Sequence, residues 1–266
     1  MKDIGLHYDK NSDWQQAMWE KLINLSRSAP VSSYPDLARW ILDIGCGSGA
    51  RTKQALELFP ETKKILAIDN DESMIKAALL QNSDSRIEYR VLGIENIGEI
   101  QGHTADIVIA HWCLHWIKDK SRLFNDLVRC SNKGSLFLIS TCERLPDLLQ
   151  IIDDEIRSHL EIEEPSPFHY LNASQWKAVI QDTDSWEVSF CETKSIAHEV
   201  TSGMDFLRIW FSASTGSAFY GRTLESLSSE FLDGLITLLD GKFKERQGTW
   251  TFIEDTLFLI VQRVAS

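Results

Sequence analysis

Three observations predict a doubly wound α/β fold with seven strands in a mostly parallel sheet. From residue 41 onward, short apolar runs alternate with stretches of helical periodicity, the pattern of strands joined by crossover helices. The first run, Ile41-Leu-Asp-Ile44, passes directly into alternating glycines at 45, 47 and 49 and then into a helical stretch at about 50–58. The second run, Lys64-Ile-Leu-Ala-Ile68, ends on an acid, Asp69. Glycine lacks a Cβ, so the backbone can turn sharply off a strand and lie against a ligand. The helix that follows offers its unpaired N–H groups to an anion.

Each element follows in order. Residues 12–28 predict a helix with Trp14, Met18, Leu22 and Leu25 on one face, ending at a Pro/Ser-rich joint, Pro30 to Pro35. Strand 41–44 leads to helix 50–58, strand 64–68 to helix 72–81, and strand 87–92 follows. Strand 106–110, helix 120–130 and the strongly apolar strand 135–140 come next. Leu145, Leu148, Ile152, Ile156 and Leu160 predict a core-facing helix over 144–160. Segments 186–193 and 250–263 read as the last two strands, with helices at about 203–213 and 222–244 between them. Leu224, Leu227, Phe231, Leu235 and Leu238 mark one face of the longer helix. The expectation is a single domain over 1–266: an N-terminal helical lid (1–35), a ligand-binding core (36–142), its completion (143–200), a helical lid insertion (201–248) and the last strand (249–266). Such an insertion would lie over the carboxyl ends of the strands, where doubly wound folds bind ligands.

Composition narrows the function. The chain has 266 residues, 43% of them hydrophobic and 25% charged, enough for a substantial core and unlike a disordered segment. It carries 39 acidic against 27 basic residues, a formal net charge of −12, and no Lys/Arg-rich run. Binding to nucleic acid by phosphate neutralisation and docking on anionic lipid are therefore not expected. The five cysteines are scattered and lack a C-x-x-C, which reads as reduced thiols rather than a disulfide framework or zinc site. No signal architecture opens the chain, and no stretch reaches the length of a membrane helix. A cytoplasmic monomer or homodimer that acts on a small molecule is expected.

Asp69, about 20 residues past the glycine loop at a strand tip, suits a ribose-hydroxyl acceptor, although Asp69-Asn-Asp71 is also turn and helix-cap chemistry. Gly45, Gly47 and Ala50 satisfy the loose dinucleotide pattern G-x-G-x-x-G/A. Asp43 inside the strand and the third glycine, Gly49, go beyond it. This segment resembles motif I of the class I S-adenosylmethionine methyltransferases, hydrophobic-Asp-hydrophobic-Gly-Cys-Gly-x-Gly. The resemblance implies a Rossmann-like fold and S-adenosylmethionine as cofactor, with Asp43 beneath its methionine half. Tyr8-Asp-Lys-Asn-Ser-Asp-Trp-Gln15 is similar to the lead-in of a small-molecule subgroup that includes the trans-aconitate, malonyl-carrier-protein and juvenile hormone acid methyltransferases. Ala67 to Met74, Asp106 to Trp116 and Lys133 to Ser140 resemble that subgroup's second motif, fourth strand and fifth strand. The cofactor residues so implied are Tyr8, Asp43, Gly45, Cys46, Gly47, Gly49, Asp69, Asn70, Met74, Ile94, Glu95 and His111. One departure stands out: the family's adenine-binding Asp aligns with Gly93, followed by Ile94, which leaves backbone groups or Glu95 for that contact.

His111-Trp-Cys-Leu-His-Trp116 sets two histidines and two tryptophans after an apolar strand. Simple packing over a strand end is the plain reading. A metal site is not expected, because a third ligand at suitable spacing is missing. By resemblance His111 lies along the methionine moiety, while His115 and Trp116 face the acceptor. Gln15 and Trp116 match positions that hold an acceptor carboxylate through uncharged N–H donors; otherwise Gln15 is an exposed polar residue of an amphipathic helix. Phe168-His-Tyr170, Trp210-Phe211 and Phe219-Tyr220 favour a medium-sized apolar acceptor, with Arg144, Arg208 and Arg222 as candidate cations. The expected activity is methylation of a carboxylate oxygen, with catalytic roles for Gln15, His115 and Trp116. Phenol or amine methylation with His115 as base, and a cofactor-binding regulator or inactive partner, are the alternatives.

Overall fold

The computed structural model describes residues 13–29, 37–100, 104–163, 166–200, 202–207, 227–245 and 250–264. Tyr8, the 30–35 joint, Arg208, Trp210, Phe211, Phe219, Tyr220, Arg222 and Leu224 lie outside the described residues.

Seven strands form one sheet: β1 (Trp40–Ile44), β2 (Lys64–Asp69), β3 (Ile87–Val91), β4 (Ala105–His111), β5 (Ser131–Cys142), β6 (Trp186–Val200) and β7 (Trp250–Arg263). Their order is β3-β2-β1-β4-β5-β7-β6. Pairs β1·β2, β1·β4, β2·β3 and β4·β5 are parallel, and β5·β7 is antiparallel. The strand order reverses at β1, which lies between β2 and β4, and it is at such a switch point, beyond the carboxyl ends of the strands, that doubly wound folds bind ligands. The mostly parallel, doubly wound sheet is the one expected.

The apolar runs read as strands because crossover helices cover both faces of a parallel sheet. Ile41, Leu42 and Ile44 of β1, Ile65 to Ile68 of β2, Ile107 to Ala110 of β4 and Leu136 to Ile139 of β5 are all buried. Helices α1 (Asp13–Ser28), α2 (Ala50–Leu58), α3 (Glu72–Gln81) and α4 (Lys120–Leu127) fall where periodicity put them. The expected 120–130 helix tightens to 3-10 geometry over Val128–Cys130. Strand β5 begins earlier than expected, because a register shift near Ala105 lets Ser131 pair before the apolar run starts. There the Ser135 hydroxyl accepts from the Asn132 N–H at 2.8 Å and donates to the Ala105 carbonyl at 2.6 Å.

The chain forms two compact units. The first contains the chain up to Glu143, Phe168–Lys194 and the segment from Thr256 onward. It includes an unforeseen helix, α6 (Ala173–Gln181), opened by a reciprocal capping box between Asn172 and Gln175. The second unit is Arg144–Pro167 with Ser195–Asp255. It holds helix α5 (Asp147–His159), a helical stretch at 203–207 and helix α7 (Ser229–Glu245). Within it Leu148, Ile152 and Ile156 of α5 are buried as expected, and the His159 ring stacks on Phe231 at 3.7 Å. Arg144 pairs there with Asp147 and Asp255, at 3.1 and 3.2 Å.

Candidate active site

The glycine loop hangs from the tip of β2. The Gly45 and Cys46 N–H groups donate to the Ile68 carbonyl at 2.8 and 3.0 Å. Gly45 and Gly47 both take left-handed backbone, with φ of 67° and 54°. The surroundings differ. A Cβ on Gly45 would run into Cys113, with Sγ at 2.8 Å, whereas a Cβ on Gly47 would meet nothing within 4 Å. Gly45 is therefore a packing requirement, and Gly47 leaves backbone open to an approaching ligand.

Two carboxylates sit at this loop. Asp69 accepts the Gly47 N–H through Oδ2 and the Asp71 N–H through Oδ1, each at 2.9 Å. The helix cap is supplied instead by Asp71, which accepts from the Ser73 N–H at 2.8 Å. A carboxylate has about four lone-pair sites, so Asp69 keeps capacity for hydroxyl donors. Asp43 is 4% exposed and accepts the Thr52 hydroxyl at 2.6 Å. Burial pushes its carboxyl up to about 7, and the nearby Asp69 adds to the effect. Burial also raises Asp69 above the usual carboxylate range.

Beyond β3, Gly93 leads into a 3-10 turn, Ile94–Glu99. A Cβ at 93 would meet the end of the exposed Glu95 side chain, whose Cδ is 2.7 Å from the Cβ position and which can swing aside. Glu95 thus lies next to Gly93, the position that the sequence resemblance aligns with an adenine-binding Asp. Cys46 and Met74 are buried, and Asn70 is exposed.

At the tip of β4 the His111 ring is tied on both sides, to Ser140 Oγ through Nδ1 at 2.5 Å and to the Gln15 carbonyl through Nε2 at 3.1 Å. A carbonyl only accepts, so Nε2 carries the hydrogen and Nδ1 takes the Ser140 O–H. Burial, with the Arg51 charge adding to it, depresses His111 to about 3 and keeps the ring neutral. The edge of Trp19 packs on it at 5.8 Å. Gln15 is 5% exposed, which removes it from the solvent face of α1. Trp112 holds φ of 59°, a conformation an aromatic residue adopts only under constraint, while its N–H donates to the Ser140 carbonyl at 2.9 Å.

A 3-10 turn, Leu114–Trp116, then places His115 among rings. Trp116 lies 5.3 Å away, Phe168 5.9 Å and Tyr170 6.0 Å. His115 is 8% exposed, and its Nδ1 is buried without a hydrogen-bond partner among the described residues. Burial, then the Lys120 charge, lowers it to about 3. Lys120 itself is buried and donates to the Ile117 and His169 carbonyls, both at 2.6 Å.

The structure thus gathers Asp43, Gly45, Cys46, Gly47, Gly49 and Asp69 at one loop, and Gln15, His111, His115 and Trp116 around the neighbouring strand tip. Thr52, Ser140, Trp19 and Lys120 were not anticipated. Each acts through a partner 9 or more positions away, apart from the 3-residue Lys120–Ile117 link.

Comparison with known proteins adds to this geometry. Residues 42–139 match the methyltransferase domain family. The malonyl-[acyl-carrier protein] O-methyltransferase of Acetivibrio thermocellus is 31% identical over 128 residues, 48% of this chain and 44% of the relative. The trans-aconitate 2-methyltransferase of Acidovorax ebreus is 24% identical over 185 residues, 65% of this chain and 66% of the relative. The chain spans between 44% and 66% of the length of the first curated relatives it matches. Among solved structures, the phosphoethanolamine N-methyltransferase 2 of Haemonchus contortus, in complex with S-adenosyl-L-methionine, superposes with a TM-score of 0.54 at 18% identity. That match covers 93% of this chain and 53% of the other, and it shows a shared fold. Residues 42–139, which hold the glycine loop, both loop carboxylates and the β4 tip, are the stretch that matches the methyltransferase domain family.

Proposed function

We propose that the chain binds S-adenosylmethionine at the glycine loop and methylates a carboxylate oxygen of a small, fairly apolar acid. The observation that carries the acceptor assignment is His115, a buried, uncharged imidazole among aromatic rings. A base whose conjugate acid has a pKa of about 3 is too weak to take a proton from a phenol or an ammonium. A carboxylate is already ionised near pH 7 and needs no base. Two of the curated relatives bear names of malonyl-carrier-protein and trans-aconitate methyltransferases, which supports the same class.

The residues at the loop suit this cofactor. Gly47 leaves backbone open, Asp69 has spare acceptor sites for ribose hydroxyls, and Asp43 with Asp69 gives the negative floor that a cation prefers. Glu95, beside Gly93, is the acid available to an exocyclic amino group. The bound cofactor supplies a methyl group on a positively charged sulfur. His111 holds Gln15 in place, Gln15 and Trp116 orient the acceptor anion, and the rings around His115 exclude water. Holding reactants in line can supply several kcal/mol of barrier reduction without proton transfer.

Calorimetry with S-adenosylmethionine and with its demethylated product should find one site per chain, and binding of NAD(H) with neither sulfur ligand bound would overturn the assignment. A screen of acids, phenols and amines with methyl-labelled cofactor then tests the acceptor. Turnover of free acids is the expected result. Turnover of a carrier-linked acyl chain alone, or tight product binding with no turnover at all, would replace it with the corresponding reading.

The loop carboxylates set a pH dependence. Asp43 is raised to about 7, so it loses its proton as pH rises through neutrality. Cofactor affinity should therefore strengthen between pH 6 and 8, and Asp43→Asn should flatten that dependence. The same shift makes the ligand-free fold less stable over this range, because the buried carboxylate must ionise as pH rises. Asp43→Asn should then raise the ligand-free melting temperature at pH 8 more than at pH 6. Equal cofactor affinities at pH 6 and 8 in the wild type would contradict this role.

A further inference from the structure

We infer that the buried Lys120 ammonium makes the ring cluster beyond β4 selective for an apolar ligand carrying a single carboxylate. The inference deepens the proposed function by naming what selects the acceptor. Lys120 opens α4 and is 4% exposed. Its Nζ lies 5.5 Å from the centre of the Trp176 ring and donates to two carbonyls. Burial lowers it to about 8, so it remains mostly charged at pH 7.

Among the described residues no carboxylate forms an ion pair with it, in a chain with 39 acidic side chains. A buried charge without a counter-charge is costly, and an anion brought alongside relieves that cost. The two carbonyls that hold Nζ belong to Ile117 and His169, one on each ring-bearing segment. Those segments are joined again by the His169 N–H, which donates to the His115 carbonyl at 2.6 Å. The cation therefore sits where the segments carrying His115, Trp116, Phe168 and Tyr170 converge. An ammonium has three N–H donors, and two are engaged by these carbonyls.

A second polar group points the same way. His115 Nδ1 is buried and unpartnered among the described residues, and the side chain is more than nine-tenths buried. In the tautomer with its hydrogen on Nδ1, the neutral imidazole can donate to a ligand carboxylate that the ammonium attracts. Trp116 and Phe168, 4.6 Å apart, provide apolar surface for the rest of the ligand. The neighbouring Lys118 is exposed, which leaves Lys120 as the buried cation of this cluster. A polyanion would keep charges unpaired there, within a chain of net charge −12.

The test is calorimetry on the full chain, with and without the demethylated cofactor, using phenylacetate, its methyl ester, phenethylamine and citrate. Wild type should bind the acid at least about tenfold more tightly than the ester, the amine or citrate, as expected of a charged hydrogen bond. Lys120→Met should erase the acid-over-ester preference while leaving ester binding and demethylated-cofactor binding unchanged. Lys120→Arg, which keeps the charge, should retain the preference. Equal weakening of acid and ester in Lys120→Met would reduce Lys120 to a strap between the two segments and overturn the inference. So would a wild type that binds the ester or amine as well as the acid, or binds none of the four. If Lys120→Met does not fold, the wild-type selectivity and the Lys120→Arg result decide. A chain that prefers the acid yet binds no demethylated cofactor would sink the methyltransferase assignment and leave this inference standing.

Discussion

Gly47→Ala is expected to remain folded and to lose S-adenosylmethionine affinity by on the order of a hundredfold. The added methyl meets nothing within 4 Å, so the folding cost reduces to holding alanine at φ of 54°. That cost is roughly 1–2 kcal/mol. The binding cost is larger, because the methyl projects from backbone that the cofactor must approach closely; overpacking of this kind costs about 1–3 kcal/mol. Gly45→Ala is the contrasting control. It carries the same backbone penalty and also forces its Cβ into Cys113. A stability loss of about 3 kcal/mol follows, a fall in melting temperature on the order of 10 °C for a chain this size. Thermal melts without ligand, with calorimetry of the folded variants, separate the two effects. Normal cofactor affinity in Gly47→Ala would remove that face of the loop from the binding site.

The contrast between these two glycines could not be read in the sequence, where both belong to one motif. What was legible was whatever local pattern dictates. Buried parallel strands give unbroken apolar runs, which placed β1, β2 and β4 and the apolar stretch of β5 to within a residue or two. The acid at the end of β2 was legible too, although its first partner is the Gly47 N–H. Helix α6 was overlooked despite an audible signal, Asn172 followed three residues later by Gln175. Other features depend on distant pairing. His111 takes its tautomer from the Gln15 carbonyl, 96 residues back, and its other nitrogen accepts from Ser140, 29 residues on. Lys120 follows Asp119, which caps α4, so in sequence it looks like a solvated charge at a helix start. In the fold its ammonium is met by the returning chain at His169 and by the Trp176 ring. The departure at Gly93 was visible in sequence, and in the fold the Glu95 carboxyl, two residues later, lies beside it.

Gln15→Ala and Trp116→Phe are each expected to lower turnover of a carboxylate acceptor by roughly ten- to a hundredfold, since each removes a hydrogen bond to a charged group worth about 1.5–3 kcal/mol. His115→Ala should cost no more than these, because the buried neutral ring contributes packing and a hydrogen bond but no proton abstraction. Its depression to about 3 also fixes the form of the pH profile. A histidine base of ordinary pKa would lose activity as pH fell from 7 to 6. His115 is already unprotonated well below that range, so kcat should stay flat between pH 5 and 8. Any limb near 7 should instead appear in KM for the cofactor, through Asp43, and vanish in Asp43→Asn. Substitution therefore discriminates better than pH alone: a weak base and no base at all give the same flat kcat. His115→Gln, which keeps an uncharged N–H donor, should recover much of what His115→Ala loses if the ring is a hydrogen-bond donor. Near-silence of Gln15→Ala together with collapse of both His115 variants would sink the carboxylate assignment. That result would require an acceptor that surrenders its proton at the ring, and hence an imidazole basic enough to take it once the ligand has rearranged its surroundings.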